Sequence, residues 1–324
     1  MNSKLLLFII AVILLPFPKV IFAQAPDLGT ASTFALFTAA GAFSNVGAAT
    51  YVTGDVGTNV GVFTAFPPGT VVGQIHVADA TAAIAATDVA TAYSDLSAVT
   101  CGTTLVTPLG SGQILAPGVY CLTTASILNG DLTLDGQNDP NAIFIIKIGG
   151  AFATGISSNV VLINSASLCN VYWQIGGQFD LGDGSVFRGT IIVDGAINLL
   201  GSSSLLGRGL SIAGAISLQN NAVNFLPAAA GLITGTATVC QGQTVVTYSV
   251  PAIANATSYI WTLPAGATIT AGANSNSITV NFSAGAASGN ITVQGSNACG
   301  TGPVSAAYAV TVNPLPITSL VWHL

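Results

Sequence analysis

The chain contains few of the residue types that acid–base or metal chemistry requires. Its only histidines are His76 and His323, which lie far apart in the sequence. A Ser-His-Asp triad or a His-based metal site needs more of these groups in ordered positions. Neither a Walker phosphate loop nor a Rossmann glycine fingerprint occurs in a suitable context. We therefore predict no catalytic residue, no bound metal and no cofactor.

Three aspartates are the remaining candidates for hydrolytic chemistry. Asp180, Asp183 and Asp194 could form the carboxylate pair with which glycosidases cleave polysaccharides. Asp183 and Asp194 are both followed by glycine, however, and Asp-Gly dipeptides are typical of turns. The segment "DGQNDPN", residues 135–141, lacks the repeated Asp spacing of a calcium loop and is interpreted as an ordinary loop. A polysaccharide-active enzyme is therefore the third of three functional hypotheses.

A short apolar–polar–apolar phrase recurs along the middle of the chain. Successive copies are separated by gaps of 20, 27, 18 and 19 residues. Repeats of this length indicate a parallel β-solenoid, in which each coil buries its apolar residues only by stacking on its neighbours. The central residue of each phrase then points outward. A jelly roll or sandwich is the alternative. The copies are Leu132–Leu134, Phe152–Thr154, Phe179–Leu181, Ile197–Leu199 and Ile216–Leu218.

Residues 76–99 have a different composition from the rest of the chain. The stretch "HVADATAAIAATDVATAYSDLSAV" is rich in alanine and contains neither glycine nor proline. Its larger apolar residues recur at helical spacing, which predicts one amphipathic helix packed against an apolar surface. The residues expected on the packed side are Ile84, Val89, Tyr93, Leu96 and Val99.

The N-terminus and the charge composition indicate an exported protein that does not bind nucleic acid. Residues 1–23 combine an early lysine, a short apolar run and a small residue at the end, as in a secretory signal peptide. A retained membrane anchor is the alternative. The remaining chain has Lys147, Arg188 and Arg208 as its only basic side chains, against eleven aspartates and no glutamate. Binding to nucleic acid requires clustered basic residues, so we exclude it.

The sequence pattern after about residue 228 predicts a second, smaller domain. A linker of small residues is followed by alternating strand patterns with Gly, Asn and Ser turns, typical of a β-sandwich with Trp261 in its core. The predicted organisation is a signal peptide at 1–23, a solenoid domain at 24–228, a β-sandwich at 229–313 and a tail at 314–324.

Five cysteines in an exported chain suggest disulfide bonds. Cys101 and Cys121 flank a short Pro/Gly segment, and Cys240 and Cys299 bracket most of the C-terminal region. We predict these two pairs. Cys169 is then left over as a buried thiol that packs like a small apolar residue.

An ordered series of motifs resembles the ice-binding (antifreeze) proteins that microbes secrete in cold habitats. The resemblance covers about residues 27–226. It implies a discontinuous, right-handed β-helix whose chain order does not follow coil order, with a long helix along one side. The C-terminal region resembles immunoglobulin-like and PKD-like modules. The motifs are "VTGDVGTN", "HVADATAA", "LAPGVYC", "LTLDGQNDPNAIFIIKIGG", "NVYWQIGG", "FRGTIIV" and "LLGRGLSI".

The resemblance implies a secreted protein whose partner is the surface of an ice crystal and which inhibits ice growth and recrystallisation. Strands stacked at about 4.8 Å hold short side chains in a flat, rigid lattice that can order water. A structural or adhesive protein, attached to the cell surface through the C-terminal module, is the second hypothesis. The ice face is expected at the outward centres of the β phrases, which are Ile127, Thr133, Ala153, Asp180, Asn198 and Ser217.

Overall fold

The computed structural model describes residues 24–253, 255–297 and 299–315. The predicted signal peptide and residues 316–324 of the predicted tail lie outside this range. Within it, no helix is long and apolar enough to cross a membrane.

The first part of the described chain forms a solenoid of short strands joined by tight turns. In several of them an outward residue stands between two buried ones, which is the pattern expected for a sheet that covers a core. A 3₁₀ turn at Gly29–Thr33 precedes the first strand, a second lies at Leu168–Asn170, and the helix α1 is Ala80–Ala98. The strands are β1 (Phe34–Ala40), β2 (Phe43–Asn45), β3 (Tyr51–Thr53), β4 (Asp55–Val60), β5 (Phe63–Thr64), β6 (Thr70–Val72), β7 (Ile75–Val77), β8 (Thr103–Thr104), β9 (Leu109–Gly110), β10 (Gln113–Leu115), β11 (Gly118–Leu122), β12 (Ser126–Asn129), β13 (Asp131–Asp135), β14 (Phe144–Ile148), β15 (Phe152–Thr154), β16 (Asn159–Ile163), β17 (Val171–Ile175), β18 (Phe179–Leu181), β19 (Val186–Val193), β20 (Ile197–Leu199), β21 (Ser204–Ser211), β22 (Ile216–Leu218) and β23 (Ala222–Asn224).

These strands build three parallel stacks, which we name the a, b and c faces. The b face runs β5-β2-β22-β20-β18-β15-β12-β9. The a face runs β6-β3-β23, the first halves of β21 and β19, then β16-β13-β10. The c face runs β7-β4-β1, the second halves of β21 and β19, then β17-β14-β11-β8. The sequence prediction of a parallel β-solenoid is confirmed.

Chain order and coil order differ at the N-terminus. Strand β1 pairs with β21 on one side and with β4 on the other, so the coils of residues 34–77 follow the coil that ends at β23. The chain then crosses through α1 to the opposite end of the stack and fills the coils from β8 onward. The apolar residues of all three faces meet in one core, in which Phe152, Trp173, Phe179 and Phe187 pack ring against ring.

The corner between the b and a faces is held by a buried ladder of polar side chains. The Ser185 hydroxyl accepts from the backbone N–H of Ser158 at 3.1 Å and donates to the carbonyl of Gly155 at 2.8 Å. One coil further on, the Asn221 amide donates to the Ser203 hydroxyl at 2.9 Å. Because these buried side chains have hydrogen-bond partners inside the fold, the bonds offset the cost of removing them from water and fix the turn geometry.

Helix α1 packs against the apolar c face, and the predicted contact residues other than Ile84 lie in this interface: Val89 and Leu96 are buried, and Tyr93 and Val99 are partly buried there. Asp79 caps it by accepting from the Ala82 N–H at 2.8 Å. The predicted contact residue Ile84 is 54% exposed, and the expected start at residue 76 is wrong because 75–77 form strand β7. Small alanines let the helix approach the sheet closely, and they take contact positions that the prediction did not include. The buried helix residues are Ala82, Ala85, Val89, Ala92 and Leu96.

The C-terminal part is a mostly antiparallel β-sandwich with its own core, in which only β25 and β32 pair in parallel among the described strands. One sheet runs β24-β26-β29-β28, and the other contains β25, β32, β30, β27 and β31. Trp261 is buried in this core, and its indole N–H donates to the Ser275 carbonyl at 3.0 Å. The strands are β24 (Thr234–Gly235), β25 (Thr238–Cys240), β26 (Val246–Ser249), β27 (Ser258–Thr262), β28 (Ala267–Ala271), β29 (Ser277–Phe282), β30 (Gly289–Asn297), β31 (Gly300–Thr301) and β32 (Tyr308–Asn313).

The disulfide pattern differs from the sequence prediction in one of two pairs. Cys101 is bonded to Cys121, which ties the terminal coil at β8 to its neighbour β11. The predicted pair of Cys240 with Cys299 is wrong, because Cys299 is bonded to Cys169 in the solenoid and Cys240 is an exposed free thiol. The module therefore docks so that Cys299 meets the turn before β17, and the disulfide joins the two domains.

Gly189 makes the sharp bend between the a-face and c-face halves of β19. Its φ of 114° disfavours L side chains, and a Cβ there would lie 2.7 Å from the Val171 carbonyl oxygen. We expect Gly189→Ala to lower the free energy of unfolding by about 2 kcal/mol or more. Gly118→Ala is the matched control, because its Cβ would meet only the Tyr120 ring at 3.7 Å. Equal urea midpoints for the two variants would contradict this account.

Candidate functional site

The b face carries two parallel rows of outward side chains. In the first row, strand pairing places Thr64, Ser44, Ser217, Asn198, Asp180, Ala153 and Ile127 side by side in register. Two residues earlier in each coil, the backbone ladder continues through a second row. That row consists of Val62, Ala42, Ala215, Ala196, Gln178, Ala151 and Ala125. Each coil except that of Gln178 therefore presents an alanine or valine beside a short polar or apolar residue.

Five of the six residues predicted for the ice face share the first row, and Thr133 does not. Thr133 belongs to β13 and pairs with Ile114 and Val161 on the a face. The sequence analysis grouped Thr133 with the b-face residues because a-face strands show the same buried–outward–buried alternation as b-face strands. The b-face strand of that coil is β12, which contributes Ile127.

Sequence reasoning missed Ser44, Thr64 and the whole second row. Ser44 and Thr64 lie in the N-terminal segment, whose coils stack beyond β22 in space although they come first in the chain. The signal was present in "GAFSN" and "GVFT", which repeat the small–x–hydroxyl spacing of "GAIS" at residues 214–217. The alanine row was missed because the residue before each phrase was interpreted as part of a turn.

Hydrogen bonds between side chains connect the middle of the first row. The Ser217 hydroxyl donates to the Asn198 amide oxygen at 2.7 Å, and the Asn198 amide donates to a carboxylate oxygen of Asp180, also at 2.7 Å. Gln178 of the second row donates to both oxygens of Asp180 at 2.7 Å. These bonds fix side-chain positions at the spacing of the strands, so the lattice of the backbone extends to the surface.

Asp180 is the one charged residue in the two rows, and it divides the face into unlike halves. On one side, Asn198, Ser217, Ser44 and Thr64 are uncharged and able to form hydrogen bonds. On the other, Ala153 and Ile127 are apolar. We name the first side, formed by β20, β22, β2 and β5, the hydroxyl half of the b face.

The other candidate carboxylates do not converge on Asp180. Asp183 lies in the turn that leaves the b face, whereas Asp194 lies in the turn that enters it, near Tyr93 of α1. Two surface cavities have volumes of about 380 and 400 Å³. The charged residue that lines the first is Asp55, and the charged residue that lines the second is Lys147. Neither cavity contains a carboxylate pair of the kind that glycoside hydrolysis requires. Within the described residues, no group of three potential ligands could hold a metal ion.

The c face is covered by α1. Lys147 reaches across to donate to the carbonyls of Ser97 and Val99 at the C-terminal end of the helix, both at 2.7 Å. Burial lowers the pKa of Lys147 and raises that of the Tyr172 phenol, which lies in the same interface.

The corner between the a and c faces is covered by the C-terminal module. Arg208 is buried there, with its guanidinium 3.8 Å from the centre of the Phe225 ring and its Nε donating to the Ser32 carbonyl at 3.0 Å. Burial lowers the pKa of Arg208 to about 10, an effect that the nearby Tyr172 hydroxyl opposes. Asn297 of the module donates to the Phe225 carbonyl at 3.1 Å. Because this corner is opposite the b face, the module leaves the two rows free.

The fold and the free face together define a class of protein, a discontinuous β-solenoid with a lateral helix and an ordered, nearly uncharged surface. The ice-binding-like family model matches residues 37–224, and a PKD-like domain model matches residues 226–310. The chain belongs to the ice-binding-like family.

Known relatives and solved structures agree with this assignment. The ice-binding protein of Nostoc sp. (strain HG1) is 36% identical over 204 residues, which cover 62% of this chain and 75% of that protein. A crystal structure of an ice-binding protein from an Antarctic Flavobacteriaceae bacterium matches with a TM-score of 0.61 and 40% identity, covering 64% of this chain and 49% of that one. The ice-binding protein of Antarctomyces psychrotrophicus matches with a TM-score of 0.59 and 32% identity, covering 62% and 98%.

One relative is much longer than this chain. Ice-binding protein 1 of Shewanella frigidimarina is 33% identical over 142 residues, but the matched segment is only 16% of its length. The shared region in these comparisons is thus the solenoid.

The negative charge of Asp180 is expected to weaken ice binding by the first row, and this can be tested by substitution. We expect Asp180→Asn to raise thermal hysteresis, because an amide keeps an acceptor for Gln178 and Asn198 and removes the one charge from the rows. The free energy of unfolding should change by no more than about 0.5 kcal/mol, since the site is at the surface. Asp183→Asn, in the neighbouring turn, is the control and should leave thermal hysteresis unchanged. Lower hysteresis in Asp180→Asn would show that the carboxylate contributes to binding.

Proposed function

We propose that this protein binds ice through the b face and thereby inhibits ice growth and recrystallisation. The observation that carries the proposal is the in-register pair of rows in the hydroxyl half, one of small apolar residues and one of short polar side chains, on an exposed face of a rigid solenoid. Membership of the ice-binding-like family supports it.

The chemistry of the hydroxyl half suits an ordered water layer. An alanine methyl group forms no hydrogen bond with the water next to it, so that water can bond to other water molecules. The neighbouring Ser, Thr and Asn side chains donate and accept hydrogen bonds at fixed points. The repeat of about 4.8 Å between strands is set by the backbone and does not depend on side-chain mobility. A layer of water held in this way can become part of the surface of an ice crystal, which attaches the protein to the crystal. Ice between attached protein molecules can then grow only as a curved surface, which is energetically unfavourable.

We place the strongest contact with ice in the hydroxyl half of the b face. Charged groups hold their own hydration water strongly, and this half contains none. The residues proposed to contact ice are Asn198, Ser217, Ser44 and Thr64, with Ala196, Ala215, Ala42 and Val62 beside them. Asp180, Ala153 and Ile127 form the margin of the site, and Thr133 is outside it.

The same proposal includes a non-catalytic, extracellular role. The three candidate aspartates are separated between a face and two turns, which favours binding over hydrolysis. The composition of residues 1–23 supports secretion. Attachment to a cell surface through the PKD-like module is the second role that the domain organisation permits, and it is compatible with ice binding by the solenoid.

Bulky substitution tests the proposed site. We expect Ser217→Tyr and Ser44→Tyr each to lower thermal hysteresis several-fold, because one ring projecting from the row separates its neighbours from the crystal. Ser204→Tyr is the matched control, since Ser204 is similarly half-buried in β21 but faces outward on the a face. All three variants should unfold at nearly the wild-type temperature. If Ser204→Tyr were the variant that lost activity, the site would belong on the a face.

A further inference from the structure

The C-terminal sandwich has a surface composition that its role as a linker or anchor does not explain. From Gly209 to Leu315 the chain contains no Asp, Glu, Lys or Arg, so the whole module is uncharged. Surfaces of soluble domains are ordinarily about one quarter to one third charged, which keeps them in solution. A module without charges needs another source of strong hydration.

Hydroxyl and amide groups supply that hydration, and on one sheet they form an array. The sheet β24-β26-β29-β28 buries Val246, Tyr248, Ile278, Val280 and Phe282 on its inner side. Its outer positions are all Thr, Ser or Asn, apart from the exposed Ala271. We name this surface the module face; it consists of Thr234, Thr247, Ser249, Thr268, Thr270, Ser277, Thr279 and Asn281.

Strand pairing aligns the module face into rows across the sheet. Thr234, Ser249 and Ser277 form one row, and the Thr234 and Ser249 hydroxyls lie 3.0 Å apart. Thr247 pairs with Thr279 in a second row. Asn281 and Thr268 form a third. Hydroxyls therefore repeat in two directions, across strands at about 4.8 Å and along each strand at every second residue.

Several of these hydroxyls are available to bind water. Within the described residues, the side chains of Thr247, Thr268 and Thr279 have no hydrogen-bond partner in the protein, whereas Thr270 donates to the Thr279 carbonyl at 3.2 Å. Each threonine also carries a methyl group on a stiff χ1 torsion. The module face thus reproduces, on a second fold, the combination of fixed methyl and hydroxyl groups found in the hydroxyl half of the b face.

The opposite sheet of the module does not have this uniformity. Its outward residues include Ile260 and Gln294, which pair with each other, among threonines. Longer and bulkier side chains interrupt any regular array there. The hydroxyl array is therefore a property of one sheet, which argues against a merely composition-wide preference for threonine.

We propose that the module face is a second ice-binding surface. This inference rests on the proposed function of the solenoid, because it assumes that the protein works at an ice surface. Ice fits the module face because both surfaces are uncharged arrays of hydrogen-bond donors and acceptors. Antiparallel sheets twist by about 20–25° per strand, so four short strands offer a smaller flat area than the b face. The module face should therefore add adsorption while contributing less growth inhibition.

Capture of the full chain by slowly growing ice tests both surfaces separately. A fluorescent maleimide on Cys240, the exposed free thiol in β25 of the other sheet, reports the captured fraction. The b face is blocked by Ser44→Tyr with Ser217→Tyr. On that background, Thr247→Arg with Thr268→Arg blocks the module face. Thr262→Arg with Thr311→Arg, both exposed on the other sheet, is the charge-matched control.

The proposal predicts that the b-face-blocked protein is still captured, and that the module-face pair lowers this capture about tenfold while the control pair does not. Circular dichroism melts verify that each variant is folded. A b-face-blocked protein that ice excludes completely, while wild type is captured, overturns the second surface and leaves the proposed function intact. Equal capture of the two arginine pairs also overturns it. If wild type itself is excluded, the proposed function fails first.

Discussion

In-register stacking of parallel coils is the constraint on which the rest of this structure depends. Each coil is too short to bury its own apolar residues, so it folds only on a neighbour whose ladder it continues. Phe179 and Leu181 lie over Ile197 and Leu199, which lie over Ile216 and Leu218. Because the buried pairs fix the register, the residue between them must fall directly beside its counterpart. The surface lattice is thus a consequence of core packing.

Occupation of the other surfaces determines which lattice is available for binding. The c face must be covered because its outward residues, including Tyr172, Ile145 and Leu210, are apolar, and α1 covers them. The a/c corner holds Arg208 and Phe225, which the module shields together with the Cys169–Cys299 disulfide. Small residues form the turns that precede the b-face strands, and the polar side chains buried at the following corner have hydrogen-bond partners. The b face is therefore stable when exposed. The a face is exposed as well, but its outward residues include the bulky Ile114 and Val161, so the b face is the exposed surface that carries the regular rows of small and polar residues.

The sequence was sufficient to predict the coils but not their full arrangement. Alternation identified the b-face centres from Ala153 to Ser217 because each strand is short and strictly buried on both sides. It could not separate Thr133 from them, since an a-face strand has the same local pattern. Ser44 was missed because its neighbour Ser217 is far away in sequence. The pairing of Cys299 with Cys169, separated by 130 residues, likewise depends on domain docking, which local spacing does not encode.

The distribution of charge connects the two proposed surfaces. All eleven aspartates lie between Asp27 and Asp194, and several of them have structural tasks: Asp79 caps α1, and Asp88 accepts from the backbone N–H of Thr30 at 2.7 Å. They give the solenoid side its acidic charge and solubility. The hydroxyl half of the b face and the entire module are left neutral. A protein that needed only solubility would gain by distributing these charges evenly, whereas one that holds ordered water on two surfaces gains by keeping both free of them.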